Sequence, residues 1–295
     1  MGSPVLQSTI GALPRRKLFG PRVKLGIGAT LVLFMVAMAI LAPWIAPFDP
    51  YEQDLMLRLR PPVWADRGSW MHPLGTDNFG RDLLSRLIYG SRLSILVGLA
   101  AMLLALTLGT LLGVLAGYFG GRIEQVVMRF ADAWQALPEI LLAIVTVAVF
   151  GGGVWVLILV LGFAGWEVYT RITFNLTRSL RERPFVEAAT AAGAGPIYIM
   201  WHHLLPQMIP VLTVIATLQV AQLILQETAL SFLGLGLPPP TATWGNILAE
   251  GRERLLVAPW IANLAGCAII LLVLGINLLG NGLRETLDPK RIGRG

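Results

Sequence analysis

Six long apolar stretches, separated by polar segments, dominate the pattern of hydrophobic and polar positions along this chain. Each is an unbroken block, unlike the apolar stripe of a soluble helix or strand, which recurs at regular spacing. About 20 helical residues, at about 1.5 Å rise each, span a hydrocarbon core of about 30 Å. We therefore predict an all-α integral membrane protein with six transmembrane helices. The stretches are Leu25 to Ala46, Leu93 to Tyr118, Gln125 to Phe150, Val154 to Tyr169, which is short, Met208 to Phe232 and Trp260 to Gly280.

The first stretch follows a basic segment, as the core of a secretory signal peptide does. Its apolar run continues to Ile45, beyond the about 7 to 15 residues of a signal-peptide core. We expect an uncleaved anchor.

Basic residues are unevenly distributed among the segments between the spans. Fifteen of the 23 Lys and Arg residues lie in the two tails, around the turn after the second span, and between the fourth and fifth spans. Because cytoplasmic loops are enriched in Lys and Arg, we predict that both termini are cytoplasmic. The loops 47–92 and 233–259 then face outward. Because the basic residues lie at the ends of the spans and do not form one clustered surface, their pattern does not favour nucleic-acid binding.

Composition excludes several kinds of chemistry. The chain is 55% apolar and 14% charged, which is unlike a soluble domain. It contains no phosphate-binding G-x-x-x-x-G-K-[ST] loop and no H-E-x-x-H pair, so we predict no ATPase site, no metal site and no cofactor of its own. The one cysteine, Cys267, cannot form an intrachain disulfide, and we expect it to pack within its span.

Four acidic residues lie in or beside the spans: Asp132, Glu139, Glu167 and Glu227. Intramembrane acids are candidates for ion or substrate contacts. A structural interpretation is available for each. Asp132 lies one helical turn from Arg129, Glu139 follows a proline that bends the span, and Glu167 and Glu227 lie near span ends, where a side chain reaches water.

A charged, alanine-rich segment, ERPFVEAATAAGAGPIYIMWHHLLP, occupies residues 182–206. Pro184 suits the first turn of a helix, and Gly193 suits a left-handed stop after it. Pro196 then starts a second short helix, which we expect to end before Pro206. Small side chains on the first helix allow a partner surface to approach closely, although a passive loop at the interface has the same pattern.

On the outer surface, a separate amphipathic helix is predicted from Gly80 to Tyr89. Its apolar positions recur at helical spacing, and its other face carries Arg81, Asp82 and Arg86. These three residues are candidates for contact with an external protein, and an interfacial brace for the second span is the alternative.

The segment 182–206 also carries a resemblance. Its pattern is similar to the EAA motif of permease subunits of ATP-binding cassette (ABC) importers. The general motif has isoleucine at the position of His203. Histidine at this position resembles the pattern in C-type permeases of the dipeptide, oligopeptide and nickel branch. The residues that match are Glu187, Ala188, Ala189, Gly193, His203, Leu205 and Pro206.

Further patches resemble the same branch in the same order along the chain. They are HPLGTD from His72 to Asp77 with the Gly80 to Gly90 stretch, then Arg129, Asp132 and Pro138, then LSFLGLG from Leu230 to Gly236 with Trp244, and GNGLRETLDP from Gly280 to Pro289. The resemblance implies a type I ABC importer permease fold with a MetI-like core, in the cytoplasmic (inner) membrane of a bacterium.

The resemblance also implies the division of the chain and its partners. The expected parts are a cytoplasmic tail 1–24, an anchor 25–46, an external loop 47–92, a five-helix core 93–280 with a coupling loop 171–207, and a cytoplasmic tail 281–295. The expected partners are a second homologous permease, two ABC ATPase subunits that bind ATP and receive the coupling loop, an external substrate-binding protein, and membrane lipid, with no nucleic acid.

Other functions remain open from the sequence. An ion-coupled secondary transporter would need an inverted repeat, and a membrane scaffold or receptor would not need the coupling loop. Within the importer interpretation, peptides are the expected substrates, and nickel chelates, glutathione and opines are alternatives.

Overall fold

Helices form nearly all of the regular structure in residues 20–287, the part of the chain that the computed structural model describes. Predictions on most of the amino tail and on the end of the carboxyl tail lie outside these described residues. The helices are α1 (Pro21–Ile45), α2 (Leu83–Phe119), α3 (Gly121–Gln135), α4 (Glu139–Phe150), α5 (Val154–Ala164), α6 (Trp166–Arg181), α7 (Pro184–Ala191), α8 (Pro196–Ile199), α9 (Leu205–Phe232), α10 (Trp244–Arg252) and α11 (Pro259–Leu287).

Five helical segments are long and apolar enough to cross a membrane. A sixth crossing is available if α3 and α4, which meet at a bend of 86°, form one broken span. The bend lies next to Pro138, where the sequence predicts one, because proline lacks the N–H that would continue the helix. The five segments are Pro21–Ile45, Leu83–Phe119, Val154–Arg181, Pro196–Phe232 and Pro259–Leu287.

The second span differs from its prediction. Instead of a separate surface helix ahead of residue 93, α2 is one helix of 37 residues. Asp82 caps it by accepting a hydrogen bond from the backbone N–H of Ser85 at 2.8 Å. Leu83 and Leu87 are buried in the core, so the apolar face that predicted an interfacial helix packs against protein.

The segment before the fifth span also differs, because the helix does not end ahead of Pro206. A π-helical turn at Met200–Leu204 connects α8 to α9, and the N–H of Leu205 donates to the carbonyl of Met200. Proline therefore enters at the first turn of α9, where its missing N–H and its ring are tolerated. The result is one helical segment from Pro196 to Phe232.

Pairs of long helices form the core of the molecule. Helix α2 packs along α6, α1 packs along α11, and α10 lies between α11 and α9. Cys267, expected to pack within its span, is exposed on α11.

A stripe of glycines brings α2 and α6 into close contact. A Cβ atom added at Gly113 would lie 2.4 Å from the carbonyl oxygen of Thr170, and one at Gly109 would lie 2.3 Å from that of Trp166. These distances are too short for any side chain, so the four-residue spacing of Gly109 and Gly113 marks a helix contact face.

We predict that Gly113→Leu separates α2 from α6 and destabilises the protein by about 1–3 kcal/mol or more, because the new side chain meets backbone that cannot yield. The measurement is the thermal melting of the purified protein in detergent. Gly266→Leu is the matched control, since a Cβ at Gly266 has nothing within 4 Å. Equal melting temperatures for the two variants would contradict the contact.

Candidate functional site

The segment between α6 and α8 forms a short helix with a well-defined end. Helix α7 begins at Pro184 and ends in a Schellman motif, in which Ala194 N–H donates to Ala189 C=O at 3.0 Å and Gly193 N–H donates to Thr190 C=O at 2.9 Å. Gly193 has a φ of +86°, a left-handed conformation that disfavours L side chains. The predicted stop is therefore present, and it fixes the direction in which the chain leaves α7.

The predicted coupling residues lie together at this end of the molecule. Glu187, Ala188, Gly193 and Pro206 are exposed, whereas Ala189, His203 and Leu205 are half-buried. Buried Val186 and Leu204 connect the loop to the core below it. A shallow surface depression lies between the two helices, lined by Phe185, Ala189, Ala192, Gly193, Ala194, Gly195, Tyr198 and His203. The geometry provides a rigid surface of small side chains, and its docking to an ATPase remains a prediction.

The opposite end of the molecule contains a buried network of ion pairs. Arg81 Nε lies 2.6 Å from Asp77 Oδ2, and its Nη2 atom lies 2.9 Å from Glu250 Oε2. Arg86 also contacts both carboxylates, with its Nη2 atom 3.0 Å from Glu250 Oε1. Two arginines and two carboxylates thus balance their charges within the fold. The network joins the segment before α2 to α10, and we call residues 47–82 together with α10 the cap.

A second buried pair supports the same network. His72 Nδ1 lies 2.9 Å from Asp82 Oδ1, and Asp82 Oδ2 accepts from the hydroxyl of Ser85 at 2.7 Å. Ser85 Oγ in turn accepts from the N–H of Phe48 at 3.1 Å. These bonds hold the start of the cap against the first turn of α2.

Arg81 and Arg86, two of the predicted contacts for an external binding protein, belong to this network, and the third, Asp82, belongs to the pair with His72. Their exposed fractions are 2%, 2% and 0%, so in this conformation they do not form part of the surface of the chain. They support the cap from inside, and the contact with a binding protein stays a prediction for the cap as a whole.

The acidic residues of the spans have partners that differ from those expected. Asp132 pairs with Arg171 of α6 at 2.8 Å, not with Arg129. Glu139 accepts a hydrogen bond from the side-chain amide of Gln226 at 2.6 Å. Glu167 and Glu227, expected to reach water, are buried with exposed fractions of 4% and 0%. Ser231 donates to Glu227 at 2.8 Å.

Sequence reasoning missed the residues that complete these clusters. Asp77, Glu250 and Arg171 were not identified as ion-pair partners, because their contacts come from elements distant in sequence. One sequence signal for such ion pairs was the equal number of acidic and basic residues, eight of each, in the loops on the cap side. Among the described residues, no group of three metal-binding side chains comes together.

Known protein families and relatives match this chain along nearly its whole length. Residues 109–293 match the family described as binding-protein-dependent transport system inner membrane component, and residues 26–62 match the N-terminal TM domain of oligopeptide transport permease C. The di/tripeptide transport system permease protein DppC of Pseudomonas aeruginosa is 43% identical, over 89% of this chain and 87% of its own length. The dipeptide transport system permease protein DppC of Escherichia coli K12 is 43% identical, over 90% and 88%.

A solved structure confirms the fold that the sequence predicts. A chain of the MetNI methionine ABC transporter, in an inward-facing conformation, aligns with a TM-score of 0.56 at 20% identity and covers 70% of this chain and 98% of its own length. At this identity the likeness concerns the fold alone, which is the expected type I ABC importer permease fold with a MetI-like core.

We predict that Arg86→Met destabilises the folded chain by about 3–5 kcal/mol, because it leaves the carboxylates of Asp77 and Glu250 close together without one of their counter-charges. The measurements are thermal melting in detergent and the level of the protein in membranes. Arg67→Met is the matched control, since Arg67 is exposed and has no ion pair among residues 20–287. A melting temperature for Arg86→Met equal to that of the control would show that the network is dispensable.

Proposed function

The chain belongs to the family of binding-protein-dependent transport system inner membrane components, and on this premise we propose that it imports di- or oligopeptides. It is a multi-pass permease subunit of an ATP-driven ABC importer, a subunit type distinct from the ATPase. The likeness to two dipeptide permeases over about nine tenths of the chain carries the assignment of peptides. The ion-coupled secondary transporter gains no support from the family match.

The proposed complex contains this chain, a second homologous permease, two ATPase subunits that bind the nucleotide, and an external substrate-binding protein. The distribution of basic residues supports an orientation with both termini and α7 in the cytoplasm and the cap outside. In this arrangement the binding protein delivers a peptide to the cap side, and the ATPase subunits act on the opposite side.

The coupling loop is proposed to transmit the ATPase cycle to the spans. Its exposed small residues allow close approach, and its Schellman stop fixes the direction in which the chain leaves α7. From α8 the helical backbone continues without a gap to Phe232. A displacement of the docked loop therefore moves α9 directly.

Reconstitution tests the function. We expect proteoliposomes containing the complete complex to take up radiolabelled alanyl-alanine only with ATP and the binding protein, and to be insensitive to a protonophore. The purified chain alone is expected to hydrolyse no ATP above background. Uptake that persists without the ATPase subunits and disappears with the protonophore would instead support an ion-coupled transporter.

The coupling loop is tested by two substitutions. We predict that Gly193→Val and Glu187→Lys leave the level of the protein in membranes near normal, while peptide uptake falls severely and less ATPase co-purifies. The first costs about 1 kcal/mol or more at a left-handed position and redirects α8, and the second reverses an exposed charge.

Gly193→Asn is the matched control, because asparagine tolerates the left-handed conformation better than a branched residue does. It should retain more uptake than Gly193→Val. Normal uptake and normal ATPase association in both Gly193→Val and Glu187→Lys would rule out the coupling role.

A further inference from the structure

Two of the spans are interrupted at similar distances from the connection between α4 and α5, one by the bend at Pro138 and one at the single non-helical residue Gly165. Helix α4 has 12 residues and α5 has 11, so the breaks at Pro138 and Gly165 each lie about 17 Å along the helix from the connection at residues 151–153. This is about half of a hydrocarbon core of about 30 Å. Non-helical backbone at such depth is tolerated only where it is buried in protein or lines a water-filled cavity.

Polar side chains from four helices gather at these breaks. Glu139 of α4 accepts from Gln226 of α9, and Arg171 of α6 donates to Gln135 of α3 at 2.9 Å. Gln219 of α9 borders the other break, since a Cβ on Gly165 would lie 3.0 Å from its amide nitrogen. We call Gln135, Glu139, Arg171, Gln219, Gln222 and Gln226 the break cluster.

Three of its members form a stripe of amides along α9. Gln219, Gln222 and Gln226 are spaced three and four residues apart, which places them on one helix face. Gln222 is exposed in the isolated chain. A polar side chain at membrane depth faces a partner subunit or water in preference to lipid.

Unmade hydrogen bonds lie in the cluster and beside it. Gln226 Oε1 and Glu167 Oε2 are buried and have no hydrogen-bond partner within the described part of the chain. Glu167 is 96% buried by side chains around it and lies within electrostatic range of both Glu139 and Arg171. Buried acceptors without donors are costly, so a donor from a bound solute would stabilise this site.

A large apolar cavity elsewhere in the described chain is a poor alternative site for a charged solute. It has a volume of about 940 Å³ and lies between α1, α2, α9 and α11. Its lining is apolar except for a few threonine hydroxyls, and it offers no charged group to a peptide terminus. Such a surface suits lipid or another apolar helix.

We propose that the break cluster lines this chain's share of the translocation path and binds short zwitterionic peptides in transit. The amides donate to and accept from the peptide groups, and Glu139 pairs with the terminal ammonium. Arg171, whose side chain is 30% exposed and also pairs with Asp132, pairs with the terminal carboxylate. Trp134 of α3, half-buried and packed on the buried Trp166 with ring centroids 6.2 Å apart, lies beside the cluster as a surface for apolar side chains. This assignment rests on the proposed function as a peptide importer.

Cysteine labelling tests whether the cluster lines an aqueous path. The chain has one cysteine, so Cys267→Ser provides a cysteine-free parent, and Gln222→Cys and Ile270→Cys are introduced into it separately. Ile270 is the control because it is exposed on the apolar face of α11 with Leu274. Both variants are assembled into the complete complex in proteoliposomes.

The probe is a membrane-impermeant cationic methanethiosulfonate. Because its target is the thiolate, which forms in contact with water, we expect labelling of Gln222→Cys to be at least about tenfold faster than that of Ile270→Cys. Turnover with alanyl-alanine, the binding protein and ATP should slow labelling at residue 222 only. Labelling as slow as that of Ile270→Cys, or unaffected by turnover, would overturn the proposal.

Substitution tests whether the amides bind substrate. Gln222→Leu should reduce alanyl-alanine uptake about tenfold, the effect of one lost hydrogen bond, at an unchanged level of the complex. Asn263→Leu is the matched control, because Asn263 lies on the exposed apolar face of α11 that includes Cys267 and Ile270. Equal uptake by the two variants would contradict substrate binding by the stripe.

Transport by the complex with the Cys267→Ser parent distinguishes a failure of this proposal from a failure of the proposed function on which it rests. If the Cys267→Ser complex takes up no alanyl-alanine with ATP, the proposed function as a peptide importer fails. If this complex transports the peptide and residue 222 stays unlabelled, only the path assignment fails.

Discussion

The absence of water in the hydrocarbon core is the constraint on which the rest of this structure depends. Every backbone or side-chain polar group at that depth needs a partner within protein or within an enclosed aqueous space. Continuous helices satisfy this requirement for α1, α2, α9 and α11. The chain departs from continuous helix at Pro138 and Gly165, and both departures lie beside carboxylate, guanidinium and amide side chains.

Burial within protein imposes a similar requirement on the cap, which lies outside the hydrocarbon core in the proposed orientation. Asp77, Arg81, Arg86 and Glu250 form a buried network with balanced charge, so that no one of them is left without a counter-charge. Because Glu250 belongs to α10 and the other three residues lie before or within the first turn of α2, the network fixes two distant segments of the chain to each other.

Local signals in the sequence predicted the elements, and contacts between distant segments decided the rest. Apolar blocks predicted the spans, Pro138 predicted a bend, and Gly193 predicted a left-handed stop, because each acts through its own backbone. The sequence suggested that Asp132 pairs with the nearby Arg129. Helix packing instead brings α3 beside α6, so that Asp132 pairs with Arg171. Likewise, the spacing of Leu83 and Leu87 is the same for a helix on the membrane surface and for a helix buried in protein. Only the contacts made by the folded cap show that this helix is buried.

Helix α9 connects the two proposed activities of the chain physically. Its helical segment begins at Pro196 within the coupling loop, continues through the π-helical turn, and carries Gln219, Gln222 and Gln226 near its other end. A π-helical turn is a frequent feature of functional sites and a place where a helix can change its direction. Movement of the coupling loop therefore reaches the amide stripe through one continuous backbone, whereas α3, α4, α5 and α6 are interrupted on the way. In this arrangement the rigid helix transmits the displacement, and the broken spans allow the space beside the stripe to open or close.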